Sequence, residues 1–249
     1  MSDNSSGTSL SKGKLGTAGI VFFVVAAAAP LLGMTGAVPV AMFLGNGAGA
    51  SGTYLAVGLL LALFAVGYSA MSQKVTNTGA FFAYVGRGLG RNAGVASAFA
   101  SIVGYVTIQL AIYGFFGGVM SFMVPGLPWY GWALVAWAVA TLLSLFSVDI
   151  GSKVLGVLMI LEVLALVVTA VAILVQNAGS IDFVAAFSPD AILAGGVTGT
   201  AGIAIAFAFA SFIGFEATAI YGEESKDPKR SVAKATYWAI GLITGLFAI

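Results

Sequence analysis

The sequence predicts an all-α polytopic membrane protein with about six full spans, and three observations predict it. Of 249 residues, 60% are hydrophobic and only 8% charged, at a mean hydropathy of +1.06, whereas soluble domains carry about 25% charged residues. Apolar stretches recur at or above the roughly 20 residues that cross a bilayer at about 1.5 Å rise each. Laid out as alternating crossings, these stretches place every Lys and Arg on one side.

In chain order, residues 1–14 (MSDNSSGTSLSKGK) form a polar cytoplasmic tail with the composition of a disordered segment. The transmembrane domain is expected over 15–249, with spans near 15–43, 53–73, 92–124, 129–148, 153–176 and 196–221 and an incomplete seventh at 233–249. The 92–124 stretch exceeds an upright crossing and should tilt strongly; two short passes are the alternative, although no charge or turn chemistry divides it. Lys12 and Lys14, a short apolar run and Ala26-Ala27-Ala28 together mimic a signal peptide. A cleaved signal leaves polar sequence behind it, however, and here apolar character continues to residue 44. Gly114 with Gly118, and Gly241 with Gly245, have the spacing of close helix contacts, read as plain packing rather than a dimer face.

Orientation follows from the basic residues. Lys12 and Lys14 precede the first span; Lys74, Arg87 and Arg91 separate the second and third. Lys153 opens the fifth, and Lys226, Lys229, Arg230 and Lys234 lie between the sixth and seventh. The opposite connections, 44–52, 124–129 and 177–195, contain no Lys or Arg and only Asp182 and Asp190. The positive-inside rule then puts the amino terminus in the cytoplasm of a multi-pass plasma-membrane protein, with Trp129, Tyr130 and Trp132 as an outer aromatic belt.

Several chemistries are excluded. Cysteine and histidine are both absent, so disulfides, thiolate catalysis and histidine-centred metal sites fall away. No metal or cofactor is expected, and proton handling is left to carboxylates, lysines, tyrosines or water. A net charge of +1 leaves no electrostatic footprint for nucleic acid. Gly47-x-Gly49-x-x-Gly52 has the letters of a dinucleotide fingerprint but sits in an outer loop with no strand before it. With no nucleophile–base pair or metal cluster to read, an enzyme is not expected.

Two spans carry breaks. The first contains Pro30, Gly33, Gly36 and Pro39 within ten residues, and proline both deletes a donor and clashes with the preceding turn. The sixth has Ser211-Phe212-Ile213-Gly214-Phe215-Glu216, with a glycine and an ionisable residue at mid-membrane. Unpaired backbone at that depth is tolerated only where protein or a water-filled cavity satisfies it. Interruptions in the first and sixth spans point to the first part of a 5+5 inverted-repeat carrier with discontinuous first and sixth helices; structurally kinked helices are the plainer alternative. Half-helix amino ends suit a carboxylate, and exposed carbonyls suit an ammonium group. Backbone at these two breaks, 30–39 and 211–216, is therefore the candidate substrate contact. Glu162 in the fifth span and Glu216 in the sixth are the candidate proton or ion coupling groups, since an intramembrane carboxyl costs about 2.5–3.5 kcal/mol to insert; a protonated glutamate bonded to a neighbouring helix is the structural alternative. Asp149 and Lys153 are read as boundary residues.

Three stretches resemble the amino acid–polyamine–organocation permeases. FIGFEATAIYGEESKDPKRSVAKA, residues 212–235, is similar to that family's sixth span and following loop at Phe212, Gly214, Phe215, Glu216, Glu223, Glu224, Pro228, Arg230 and Ala235, with Asp227 where Asn is usual and Ala233 where Pro is usual. TGAFFAYVGRGLG, 78–90, is similar to the loop after the second span at Gly79, Tyr84, Arg87 and Gly90. Thr35-Gly36 resembles the substrate loop of the first span, with Met34 replacing a usual glycine and Ala37-Val38 replacing Ile-Phe.

The resemblance implies a proton- or sodium-coupled carrier of amino acids or related amines. Backbone around Gly33–Gly36 would hold a carboxylate and that around Phe212–Phe215 an ammonium group. Glu162 aligns with a fifth-span lysine used for coupling by some members; a glutamate cannot mimic a bound cation, so it is expected to titrate or to meet a cationic substrate group. Glu223, Glu224, Lys226, Asp227, Lys229 and Arg230 form a mixed-charge cluster read as a cytoplasmic gate or, equally, a solvated loop. Family members run to roughly ten or twelve spans, so this chain is expected to be a truncated or partial carrier that transports poorly alone. A half-size channel or carrier acting as a dimer is the alternative.

Overall fold

The computed structural model describes residues 16–75, 79–145, 148–225 and 227–248, and the side chains of 148–153, 223–224 and 228–229 fall outside that description. Every described regular element is a helix. The helices long and apolar enough to cross a membrane lie in the run Thr17–Lys74 and in Arg91–Met123, Val154–Gln176 and Arg230–Ala248, with shorter apolar helices at Trp129–Ser144 and Thr200–Ser211. The protein is thus an all-helical, polytopic membrane protein. The chain forms two compact units, residues up to Tyr84 together with Leu166 onward, and Val85–Ala165 between them.

In the first unit, helix α1 (Thr17–Ala28) stops at Ala29, which adopts a left-handed conformation, φ 43° and ψ 67°. The following proline explains the stop: its ring disfavours the α conformation in the residue before it, and proline itself is well placed at a helix start. Helical backbone resumes at α2 (Pro30–Leu32), widens into a π-helical turn at Gly33–Ala37 and passes through α3 (Val38–Val40). It then widens again at Ala41–Asn46. The first break therefore lies just before Pro30, while Gly33–Gly36, expected to be non-helical, form a wide helical turn four residues later. Glycine and proline loosened the helix there without unwinding it.

A 3-10 turn at Gly47–Gly49 leads into α4 (Ala50–Lys74). The two faces of α4 reveal its solvent. Buried are Thr53, Tyr54, Val57, Gly58, Leu61, Ala65, Tyr68, Ser69 and Ser72; turned outward are Leu55, Leu59, Leu60, Leu63, Phe64 and Val66. The exposed face is more apolar than the buried one, the reverse of a water-soluble helix. Only lipid makes that arrangement favourable. Inside, hydroxyls and small residues let helices approach closely, as expected where lipid tails remove any hydrophobic gain from helix association.

A short helix α5 (Ala80–Leu89) follows α4. Two short helices, α9 (Phe183–Ala186) and α10 (Pro189–Ile192), are capped by Asp182 and Ser188, which accept from the Ala185 and Ala191 amides at 2.8 and 3.2 Å. Asn46 ties them down by donating to Thr53 Oγ1 at 2.7 Å and to the Ile192 carbonyl at 2.8 Å. Then come α11 (Thr200–Ser211), α12 (Ala217–Ile220), a 3-10 turn at Tyr221–Glu224, and α13 (Pro228–Ala248). Helix α13 packs along α4 and α1, and α11 packs on the wide turn Ala41–Asn46. The core joins Ile20 and Val24, Tyr54 and Leu61, Ala204, Ala208 and Phe212, and Ile243 and Phe247.

The second unit holds α6 (Arg91–Met123) and α7 (Trp129–Ser144), with the first part of α8 (Val148–Gln176), whose last part belongs to the first unit. Helix α6 is one unbroken helix of 33 residues, about 50 Å long at 1.5 Å per residue, so the division into two short passes does not occur. Its close approach to α7 uses Gly117, where a Cβ would collide with the Trp129 carbonyl; Gly114 and Gly118 face open space.

Candidate functional site

The sixth apolar stretch is interrupted as expected. Helix α11 ends at Ser211, and residues 212–216 run through successive tight turns before α12 restarts at Ala217. Gly214 sits at φ 115°, a conformation open to glycine at no steric cost. Five amides between Phe212 and Thr218 donate to the carbonyl three residues back, at 3.0–3.3 Å. Those donors belong to Phe212, Ile213, Phe215, Ala217 and Thr218. The Gly214 amide donates instead to Glu216 Oε2 at 2.8 Å. Among the described turn bonds, the Ser211 and Ile213 carbonyls accept none.

The two breaks meet. A Cβ on Gly214 would lie 3.0 Å from the Ala27 carbonyl carbon and the Ala28 amide nitrogen, one residue before the left-handed Ala29. Backbone thus crosses backbone, and only glycine lets it come so close. The half-helix that resumes at Pro30 begins there, and its Gly33 amide donates back to the Ala29 carbonyl at 3.1 Å.

Packing around the crossing is tight. Phe212, Phe215, Ser211 and Glu216 are buried, while Ile213 is exposed. Gly33 is also buried, with no room for a side chain against the Phe247 ring. Met34 packs on the same core. Thr35 is exposed and donates to its own helix at the Leu31 carbonyl, 2.7 Å away, and Gly36 is half-buried. Of the first-span candidates, then, Gly33 and Met34 join the core with the sixth-span residues, and the Thr35 hydroxyl is committed elsewhere.

Five buried side chains that sequence reasoning missed complete this region. Tyr54 shares a hydrogen bond with Ser211 Oγ at 3.0 Å and packs on Phe247, ring centroids 5.3 Å apart. Phe247 in turn meets Phe212 edge-on at 6.2 Å. Tyr68 donates to the Glu216 carbonyl at 2.7 Å. Tyrosine in a leucine-rich span was the available signal, because a buried phenol needs a partner. Thr218 and Thr236, both fully buried, share a hydroxyl hydrogen bond at 2.9 Å and pin α12 to α13.

Tyr68 also anchors an aromatic group. It packs on Tyr84 at 5.3 Å and Phe81 at 5.4 Å, both from α5, and Phe81 reaches Phe215 at 6.1 Å. The loop helix after the second span is thereby joined to the sixth-span break. Burial pushes the Tyr84 hydroxyl up to about 12 from its ordinary 10.

Glu162 is half-buried on α8 in the second unit. Arg230 is exposed in the first turn of α13. The Glu223 and Glu224 side chains and all of Lys226 lie outside the described residues.

Apolar helices, two of them interrupted and crossing at the interruptions, fit a membrane carrier for small molecules. Comparison with known proteins agrees: the family model described as amino acid permease matches residues 20–249. The chain belongs to the amino acid permease family, a transporter family of the same superfamily that the 78–90 and 212–235 motifs resemble. Neither the curated proteins nor the solved structures yielded a match.

Gly214→Ala should cost about 1–2 kcal/mol in the left-handed conformation alone, with further loss from the contact on Ala27–Ala28. The expected result is a lower unfolding midpoint in detergent than for Gly241→Ala or Gly245→Ala, where a Cβ meets open space. The folded-state pKa of Tyr84 is raised, so its contribution to stability is complete below pH 10 and is lost as pH rises through about 12. A wild-type minus Tyr84→Phe phenolate titration should show a component ionising near pH 12, not near pH 10.

Proposed function

We propose that this permease is a secondary active carrier that grips an amino acid or related amine between the two broken spans, driven by a proton or sodium gradient. The single observation behind this reading is the crossing of the breaks, with Gly214 against Ala27–Ala28. The half-helix amino end that begins at Pro30 favours a carboxylate, and the Ser211 and Ile213 carbonyls favour an ammonium group. A zwitterion has both. The first-span contact is accordingly placed one turn earlier than Gly33–Gly36, whose π-helical turn would support it from behind. The proposed setting is the plasma membrane, amino terminus inside, with the spans forming the first part of a 5+5 inverted repeat.

Binding should appear as stabilisation. A ligand at 100 times its Kd adds about 2.7 kcal/mol to the folded state, so a thermal screen of the purified chain against amino acids and polyamines should single out a chemically related subset. A screen in which no amino acid or amine shifts the unfolding midpoint would sink the reading.

Glu162 is proposed to titrate during the cycle or to meet a cationic substrate group. Glu162→Gln should then flatten the pH dependence of binding or uptake. An unchanged pH profile would remove Glu162 from the mechanism.

A further inference from the structure

Glu216 has a role that its position as an intramembrane carboxyl did not suggest. Its side chain is 4% exposed and turns back on its own loop, where Oε2 accepts the Gly214 amide at 2.8 Å. The Phe212, Ile213 and Phe215 amides of the loop each find a carbonyl three residues back. At φ 115° Gly214 is rotated out of that series, and its donor goes to the side chain instead. Without an acceptor there, a main-chain N–H would stand unpaired at a buried position, which costs about 1–3 kcal/mol. The backbone of the same residue is held from the opposite side, because the Glu216 carbonyl accepts from Tyr68 at 2.7 Å. Glu216 is therefore fixed at both ends, and through it the conformation of Gly214, the residue that touches Ala27–Ala28.

We infer that Glu216 is a positioning and specificity-determining residue: it staples the sixth-span break through the Gly214 amide and so leaves that break presenting oxygen atoms rather than N–H groups. The consequence is chemical. A free Gly214 N–H would attract an anion; with the donor occupied, carbonyl oxygens remain, and these accept from an ammonium group and repel a carboxylate. The inference rests on the proposed reading that the substrate amine lies at this break. It differs from a coupling role in one decisive respect: an acceptor oxygen is required, and an ionisable proton is not.

Glutamine keeps the acceptor and loses the ionisation; alanine loses both. The test therefore compares the full chain in lipid nanodiscs as wild type, Glu216→Gln and Glu216→Ala. One arm is hydrogen–deuterium exchange over 212–218. The other is thermal stabilisation by putrescine, a diamine without a carboxylate. The staple predicts that exchange at Gly214 accelerates on the order of tenfold to a hundredfold in Glu216→Ala, the ratio equivalent to losing one buried hydrogen bond. It predicts wild-type protection in Glu216→Gln. Putrescine affinity should follow the same order, falling about tenfold or more in Glu216→Ala only. Unchanged exchange in Glu216→Ala would overturn the staple, as would Glu216→Gln behaving like Glu216→Ala. Should putrescine and amino acids alike fail to stabilise even the wild type, the carrier reading falls, and the exchange arm alone still decides the staple.

Discussion

A main-chain amide or carbonyl in the lipid interior has no water to turn to, and a hydrogen bond in such a medium is worth about 4–6 kcal/mol gross. That constraint shapes this protein more than any side-chain contact. A helix can stop in the membrane only where neighbouring groups take up what it leaves behind. Here the sixth-span loop takes up its own: short-range turn bonds satisfy five amides, and the Glu216 carboxyl satisfies the amide of Gly214. At the first break a single residue, Ala29, carries the reversal, at about 1–3 kcal/mol of backbone strain. Each interruption is short because each extra unpaired group would cost more than the strain it relieves.

The crossing of the two breaks follows from residue size. Gly214 lacks the Cβ that would hold it away from Ala27 and Ala28, and the alanines opposite add almost nothing to the separation. In a bilayer, association gains little from burying apolar surface and depends on close packing and buried hydrogen bonds. Alanines at 204, 208, 235 and 239 are all buried here, while Leu55, Leu59, Leu60, Leu63 and Phe64 of α4 face outward.

Much of this was legible in the sequence for physical reasons tied to particular residues. The break at 212–216 could be read because Gly214 and Glu216 are both poor choices for an uninterrupted span. Glu216 was readable as important, since burying a carboxyl is costly, but its partner was not: a side chain reaching two residues backward depends on the φ of Gly214. Glycine and proline weighed together mark the first break over Pro30–Pro39. The structure puts it at Ala29, whose letter carries no signal; only the rule that proline constrains its predecessor picks it out. The Gly114–Gly118 pair shows the same limit, because the helix contact falls on Gly117 instead.

Composition and order along the chain determined that this is a helical membrane protein of the permease type with interruptions in its first and sixth apolar stretches. Those properties are additive over residues: transfer cost, turn propensity and the spacing of charges can each be summed along a line. Which residues complete the crossing is a different kind of fact. Phe247 against Gly33, Tyr54 with Ser211 and Tyr68 with Glu216 join positions more than a hundred residues apart. Such pairings follow from how helices stack, and the separations that decide them, a few ångströms at one glycine, exist only once the chain has folded.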